Sequence, residues 1–254
     1  MIQPKKKPFF VGYLPVPKAL RNFLKITASL IFIALGIAGF VMGATQDDPG
    51  DGAFRGDYGR QTVTGVIELT PYPLLHVTIG NDRLKVGDTL MMSAGGKSGV
   101  MDRATPLEGQ LAQVSGVILE RGDLNMLQLR GGRNGMQAAE GDAQPLQSVP
   151  QGRWKLTGEI CDGKCLSGAM RPGRGLAHKA CANLCLLGGV PPVFVSTQPV
   201  LGQEFLLITG PGGTELPAAA YDRIAQFISV EGEVTKHGSL LVFAIDADTM
   251  ELVK

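Results

Sequence analysis

The chain has few charged and few aromatic residues for its length. Of its 254 residues, 19% are charged and 6% are aromatic, with a single tryptophan. The net charge is only +1, so the chain lacks the basic excess of a nucleic-acid-binding protein. It also lacks the unbroken helical period of a coiled coil, because it contains 35 glycines and 16 prolines. An apolar content of 44% excludes a disordered chain, and the composition predicts a turn-rich, mainly β fold.

The basic residues are concentrated at the N-terminus. Residues 1–25 contain no acidic side chain and six basic ones: Lys5, Lys6, Lys7, Lys18, Arg21 and Lys25. Residues 26–44 follow without any charge, and as a helix they would be about 28 Å long, close to the hydrocarbon thickness of a bilayer. This stretch is longer than the apolar core of a signal peptide, which favours an uncleaved anchor over a cleaved leader.

The charges on either side of the apolar stretch predict its orientation. Basic residues precede it and acidic residues follow it, so the positive-inside rule places residues 1–25 in the cytoplasm. We therefore expect a single-pass protein of the inner (cytoplasmic) membrane whose C-terminal domains are periplasmic. Within the stretch, Gly36, Gly39 and Gly43 form a line of small residues, which suits either a close helix–helix contact or an ordinary span.

The remainder of the chain contains two segments of similar pattern. We expect polar linkers at residues 45–60 and 131–152, a first β-domain at 61–130 and a second at 153–254. Residues 90–96, 114–117 and 122–124 resemble those 116 positions later, whereas residues 63–67 resemble those 93 positions later. The second segment thus has 23 extra residues, which we assign to an insertion within 161–192. The strand pattern predicts two duplicated OB-like barrels, with a generic β-sandwich as the alternative.

The insertion contains all four cysteines of the chain. Cys161, Cys165, His178, Cys181 and Cys185 follow the spacing C-x3-C-x12-H-x2-C-x3-C. Residues 176–187 read as a short helix that ends at two glycines. On that helix the histidine and the last two cysteines share one face. A different face, formed by Ala180, Leu184 and Leu187, is suited to packing.

Three chemical interpretations of these residues are open. Two disulfides could join the helical cysteines to Cys161 and Cys165, as an oxidising compartment and an even cysteine count favour. The four cysteines, with His178, could instead bind zinc, copper or an iron–sulfur cluster. A cysteine close to His178 and Lys179 could also have a lowered pKa and carry out thiol–disulfide exchange.

The insertion and the residues after it carry a family resemblance. The stretches GEICDGKC, GAMRPG and HKACANLCLLGGVPP resemble a group of bacterial exported or membrane-anchored proteins. Those proteins have a G-x-I-x-D-x-K-C segment, then H-x-x-C-x-x-x-C-x-x-G-G, and end in a small β-barrel. The resemblance covers about residues 156–246. It implies an OB-like fold and an extracytoplasmic location, and it implies no catalytic role.

Other candidate motifs are given lesser roles. Residues 94–98 contain Gly-Lys-Ser but not the rest of a phosphate-binding loop, so we reject that function. We expect His76 and His237 to be surface residues, and Asp162 and Lys164 to be solvated. The leading hypothesis is therefore a non-catalytic, membrane-anchored accessory subunit that docks on a larger membrane complex, possibly a redox complex. The alternatives are an electron-transfer or metal-delivery protein and a thiol-exchange protein.

Overall fold

The computed structural model describes residues 16–45, 50–143 and 146–253. The chain divides into two compact units, residues 1–48 and residues 49–254. The sequence predictions for Lys5, Lys6 and Lys7 lie outside the described residues.

The first unit contains one long helix, α1 (Lys18–Thr45). It begins just after Pro17, whose carbonyl accepts hydrogen bonds from the backbone N–H groups of the first turn. Proline disfavours the helical conformation of the residue before it, so the helix does not extend further toward the N-terminus. The helix therefore starts within the basic segment, earlier than the predicted residue 26. Over Lys18–Met42 it is long and apolar enough to cross a membrane, by length and composition. The prediction of an N-terminal apolar helix is confirmed.

The first half of the second unit is a β-sheet with short helices at its edge. In the described residues its strands are β1 (Ala53–Phe54), β2 (Gln61–Thr70), β3 (Tyr72–Ile79), β4 (Thr89–Ser93), β5 (Leu111–Arg121), β6 (Leu124–Leu129) and β7 (Met136–Ala138), with helix α2 (Met101–Ala104) after β4. The strand order is β1-β5-β2-β3-β4-β6, and β7 also pairs with β5. Strand β6 also pairs with β5, in antiparallel orientation, whereas its pairing with β4 is parallel.

The second half is a closed five-stranded barrel. Its elements are β8 (Ser148–Asp162), α3 (Lys179–Leu187), β9 (Pro192–Val200), β10 (Gln203–Thr209), α4 (Ala218–Tyr221), β11 (Ile228–His237) and β12 (Leu240–Leu252). The barrel order is β10-β12-β11-β8-β9, and β10 and β12 are its parallel pair. The mainly β prediction is confirmed. The linker predicted at 131–152 includes β7 and the start of β8.

Strand pairs in the two halves match in register. Pairs of residues that face each other in the first half recur in the second at the offsets seen in the sequence: Gly116–Leu129 and Gly232–Ile245, Met91–Met126 and Leu207–Val242, Val63–Val114 and Leu156–Val230. The tight turns that close the two hairpins also correspond, because Gly122 and Gly238 both have a positive φ, of 55° and 60°. Glycine adopts this conformation without the steric cost that other residues incur.

The apolar cores explain why the two halves form one unit. One cluster fills the barrel of the second half and another fills the first half. A further cluster contains residues of both halves, including Leu74 and Met126 of the first and Cys165 and Phe205 of the second. The insertion therefore packs into the seam between the halves and is part of their shared core.

Two glycines at equivalent strand positions give a direct stability prediction. A Cβ at Gly116 would lie 2.3 Å from the Gln128 carbonyl oxygen, and a Cβ at Gly232 would lie 2.3 Å from that of Ala244. We expect Gly116→Ala and Gly232→Ala each to lower the free energy of unfolding by about 2 kcal/mol or more, because the backbone must shift. Denaturant unfolding of the detergent-solubilised chain measures this loss. The control is Gly95→Ala, whose Cβ meets no atom within 4 Å, and equal stability of all three variants would contradict the prediction.

Candidate thiol–histidine site

The candidate site lies where β8 ends and the insertion begins. Asp162 is the last residue of β8, and Cys165 opens a single π-helical turn, residues 165–169. The Asp162 carboxylate accepts a hydrogen bond from the backbone N–H of Cys165 at 2.8 Å, which fixes the turn. Helix α3 then brings its own cysteines to the same place. The predicted helix over residues 176–187 appears as a 3₁₀ turn followed by α3.

Three of the four cysteine sulfurs lie close together. The Sγ atom of Cys165 is 3.9 Å from that of Cys181 and 3.9 Å from that of Cys185. The Sγ of Cys181 is also 3.4 Å from the thioether sulfur of Met170. All four cysteines, each within the described part of the chain, are free, and a disulfide requires about 2.05 Å. The two predicted disulfides are therefore not supported, and Cys161 lies in neither group of close donor atoms.

His178 is held in the site by a buried carboxylate. Its Nε2 atom is 2.9 Å from Asp162 Oδ2, and both side chains are buried. The donor atoms of His178, Cys165 and Cys181 all lie within 4.8 Å of one another, and those of Asp162, Cys165 and Cys185 form a second such group. The prediction that Asp162 is solvated was wrong, because it is the hydrogen-bonding centre of this cluster.

The first half contributes a lysine to the site. The Nζ atom of Lys97, in the loop after β4, donates to Cys181 Sγ at 2.6 Å and lies 3.6 Å from Cys185 Sγ. The loop reaches this position by a backbone hydrogen bond of 2.7 Å from Gly99 to the Gly188 carbonyl, at the end of α3. A Cβ on Gly188 would lie 1.8 Å from the Lys97 carbonyl oxygen, so this approach requires glycine.

A second lysine fastens the same loop from the other side. Lys164 is buried and donates to the carbonyl oxygens of Ala94 and Gly96, at 2.6 and 2.7 Å. Burial lowers the pKa of Lys164. The prediction that this lysine is solvated was wrong, because its ammonium replaces water hydrogen bonds with two backbone carbonyls across the seam.

The electrostatics of the cluster divide its thiols. The pKa of Cys185 is lowered to about 7, because the Cys165 thiol donates a hydrogen bond to it and Lys97 adds positive charge. The pKa of Cys165 is raised by that same donation and by burial. Burial also raises the pKa of Cys161. The arrangement therefore favours one thiolate in the cluster before any ligand binds, and this thiolate is next to an ammonium.

Helix α3 buries the opposite side from the one expected to pack. Its buried residues are Ala182, Cys185 and Leu186, whereas Ala180, Leu184 and Leu187 are exposed. The prediction that the Ala180 face packs against the protein was wrong. The reason is that the thiols of α3 face the seam, where they lie close to Asp162 and Lys97. The leucines on the other side of the helix therefore face outward.

A separate polar cluster joins the halves at another part of the seam. The Glu68 carboxylate lies 2.6 Å from His76 Nε2 and 2.8 Å from His237 Nδ1. Thr89 is 3.1 Å from His76 Nδ1 and donates to the His237 carbonyl oxygen at 3.0 Å. His76 is buried and His237 is largely buried, so the prediction that both are surface residues was wrong.

Both clusters contain residues whose partners are distant in sequence. Lys97 approaches cysteines 84 and 88 positions away, and Glu68 approaches His237 across 169 positions. The only sequence signal for Lys97 was the Gly-Lys-Ser segment, which we did not assign to a phosphate loop. The close backbone contact is made by Gly99, which follows this segment, and by Gly188 at the end of α3. Comparison of the chain with protein-family models, curated proteins and solved structures found no match.

The Glu68 cluster predicts a pH-dependent contribution to stability. Burial raises the pKa of Glu68, but hydrogen bonds from His237 and His76 outweigh it and hold the pKa well below its ordinary value. A carboxyl with a lowered folded-state pKa stabilises the fold above its unfolded pKa and loses that contribution as the pH falls through the folded pKa.

We therefore expect Glu68→Gln to lower the free energy of unfolding by about 2 kcal/mol at neutral pH, with the difference shrinking as the pH falls below about 4.3. Denaturant unfolding of both proteins across this pH range measures the difference. Glu140→Gln, at an exposed carboxyl, is the control. A Glu68→Gln deficit that stays constant down to the lowest pH would contradict the prediction.

Proposed function

We propose that the protein is a membrane-anchored, extracytoplasmic metal-binding protein whose ligands are Cys165, Cys181 and His178. The observation that carries the proposal is the convergence of these three donor atoms within 4.8 Å. Two thiolates and an imidazole form a soft donor set, which suits zinc or copper. Electron transfer and metal delivery both require a site close to the protein surface. The partial exposure of Cys181 meets this requirement.

The sulfur spacing fits a metal better than it fits a disulfide. Two sulfurs that bind one tetrahedral metal at about 2.3 Å lie about 3.8 Å apart. The Cys165 sulfur is 3.9 Å from each of Cys181 and Cys185, so either pair can share a metal with little movement. Cys185 and Asp162 form a second group of close donor atoms with Cys165.

Asp162 supports the proposed site by orienting the imidazole. When a carboxylate accepts a hydrogen bond from one ring N–H of a histidine, it fixes the tautomer and leaves the other nitrogen free to bind metal. Asp162 lies at Nε2 of His178, so Nδ1 would be the ligand atom. Lys97 and Lys164 limit the negative charge that the thiolates and the carboxylate accumulate, and Lys97 is close enough to compete with a metal for Cys181.

The proposal predicts a specific order of metal affinities. We expect Cys165→Ala and His178→Ala to weaken zinc or copper(I) binding by about 100-fold, and Asp162→Asn by roughly 10-fold or more. The matched control is Cys161→Ala. It removes a buried thiol from β8, the strand that ends at Asp162, and this thiol belongs to neither donor group. Competition with a chromophoric chelator under reducing conditions measures each affinity.

Two outcomes would count against the metal. Equal losses for Cys161→Ala and Cys165→Ala would show that the loss does not arise at the cluster. A protein that binds no metal and whose mass, without reductant, is lower by one or two pairs of hydrogens would favour disulfides or thiol exchange instead. The lowered pKa of Cys185 is the feature that would then support exchange.

A second candidate function is that of an accessory subunit docked on a larger membrane complex. The observation in its favour is an exposed apolar patch made of Phe227, Leu252 and Val253. These residues are neighbours, because Val253 N–H donates to the Phe227 carbonyl oxygen at 3.0 Å. Apolar side chains grouped in this way at the end of a barrel suit a protein partner.

The subunit proposal predicts a partner that depends on this patch. Purification of the full chain in mild detergent should recover a stoichiometric protein partner, and Phe227→Asp should release it because a carboxylate resists burial in an apolar interface. Val86→Asp, at an exposed apolar residue of the first half, is the control. Recovery of the unaltered chain alone would exclude the stable subunit role.

We also infer that the two halves are copies of one OB-like barrel. The support is the shared strand order, the parallel closing pair in each half and the matching register of the pairs. An OB-fold has five strands in this kind of arrangement. The insertion then interrupts the first hairpin of the second copy, since β2 and β3 are joined by a tight turn whereas β8 and β9 enclose the cysteine segment.

A further inference from the structure

The exposed side of the insertion helix carries a row of apolar residues, beside the partly exposed Lys179 and Asn183. Leu176, Ala180, Leu184 and Leu187 recur at helical spacing, and the three leucines are 69%, 57% and 73% exposed. We call these four residues the leucine face. In the described part of the second unit nothing covers it, although its apolar spacing is that of a helix surface that buries itself. The opposite side of the same helix carries the thiols of the candidate site.

All charged side chains of the segment that carries the leucine face are basic. Residues 163–190 contain Lys164, Arg171, Arg174 and Lys179 and no acidic side chain. Lys164 is buried, and the partly exposed Lys179 donates to the Asp222 carbonyl oxygen at 2.7 Å. The two arginines are exposed, and Arg174 also lies 3.8 Å from Glu159. An apolar helix face accompanied by exposed arginine and lysine is typical of a segment that lies in the interface of an anionic bilayer.

The chain enters the folded unit beside this same segment. Gly52 packs so closely on the π-helical turn that a Cβ would lie 2.5 Å from the Leu166 carbonyl oxygen. Asp51 is also 3.9 Å from Arg171. Helix α1 ends at Thr45, so at most seven residues connect it to this point, a reach of about 24 Å when fully extended. A bilayer that holds α1 therefore lies within reach of the insertion.

We propose that the leucine face rests on an anionic lipid surface, with its leucines at the acyl boundary and the exposed Arg171 and Arg174 at the headgroups. This rests on the proposed membrane anchoring of α1 and is independent of the metal. The tether favours lipid as the occupant, because it keeps the face near a bilayer at all times. A second copy of the chain is disfavoured, since three leucines and an alanine fall well short of the roughly 800 Å² per partner that stable interfaces bury.

Tryptophan quenching by lipid tests the proposal. The full chain is reconstituted in vesicles of phosphatidylcholine and phosphatidylglycerol whose acyl chains carry bromine close to the headgroup. The natural Trp154 is retained, and its quenching in the parent protein is subtracted. We expect the tryptophan of Leu187→Trp to be quenched at least about twofold more than that of Val86→Trp, whose parent residue is similarly exposed in the first half.

A third variant separates failure of the anchor from failure of the docking. Phe32→Trp places the reporter within α1, where it should be quenched whatever the folded unit does. Quenching of Phe32→Trp without extra quenching of Leu187→Trp would overturn the docking proposal alone. Loss of both would overturn the anchor as well. A photoreactive group at position 187 that captures a protein, without lipid quenching, would assign the face to a protein partner.

Charge provides an independent readout. In the Leu187→Trp protein, a second change of Arg171→Gln should reduce the extra quenching in anionic vesicles by about twofold or more, because each basic residue near the surface adds attraction. Arg60→Gln, which removes an exposed arginine outside the insertion, should have no such effect. Extra quenching that is equal in neutral and anionic vesicles, and insensitive to Arg171→Gln, would overturn the anionic specificity.

Discussion

The contact between the loop after β4 and the end of α3 is the constraint on which the candidate site depends. The Gly99 N–H donates to the Gly188 carbonyl oxygen at 2.7 Å, and a Cβ on either glycine would overlap the backbone of the opposite segment. This approach brings the ammonium of Lys97 to Cys181. Lys164 fixes the loop from the other side through two carbonyls. The site therefore combines donor atoms of the second half with a lysine of the first.

Burial of Asp162 organises the same site from within. An ionised carboxylate removed from water needs several hydrogen bonds to remain favourable. Asp162 obtains them from the Cys165 backbone and from His178, so the π-helical turn and the imidazole are both fixed by one side chain. Three sulfurs then gather around a region with one thiolate and one ammonium. Such a preorganised, partly charged pocket lowers the cost of arranging ligands around a soft metal.

The sequence predicted the local features well and the long-range ones poorly. The apolar N-terminal helix, the mainly β fold and the helix over residues 176–187 follow from composition and periodicity, which act within a few residues. The same spacing predicted one shared face for His178, Cys181 and Cys185; in the structure His178 and Cys181 lie in one group of close donor atoms with Cys165, and Cys185 lies in the other. It could not decide which face of α3 is buried, because Lys97 and Asp162 decide that through contacts distant in sequence. The buried positions of Lys164 and His76 escaped prediction for the same reason.

The proposed duplication makes the seam between the halves approximately symmetric, and its two sides have diverged in chemistry. At the offsets of the strand pairing, His237 corresponds to Arg121, Glu68 to Cys161 and Thr89 to Phe205. On one side His237 meets the Glu68 carboxylate. On the other, Arg121 is buried with the Phe205 ring 5.9 Å from its guanidinium, and its Nε and Nη1 atoms have no hydrogen-bond partner among the described residues. Burial lowers the pKa of Arg121, because no acceptor compensates the lost hydration.

This asymmetry assigns different tasks to the two sides. The Glu68 side is a polar network in which Glu68 and Thr89 of the first half each contact His237 of the second, and these contacts hold the halves in register. The other side has exchanged the carboxylate for the Cys161 thiol, and the strand that carries this thiol continues into Asp162 and the cysteine insertion. Within the described residues, the second half therefore has the Cys161 thiol in place of this carboxylate at the position where the cysteine segment begins. Lys164 and the contact between Gly99 and Gly188 connect the halves there. These contacts also hold Lys97 close to the thiols.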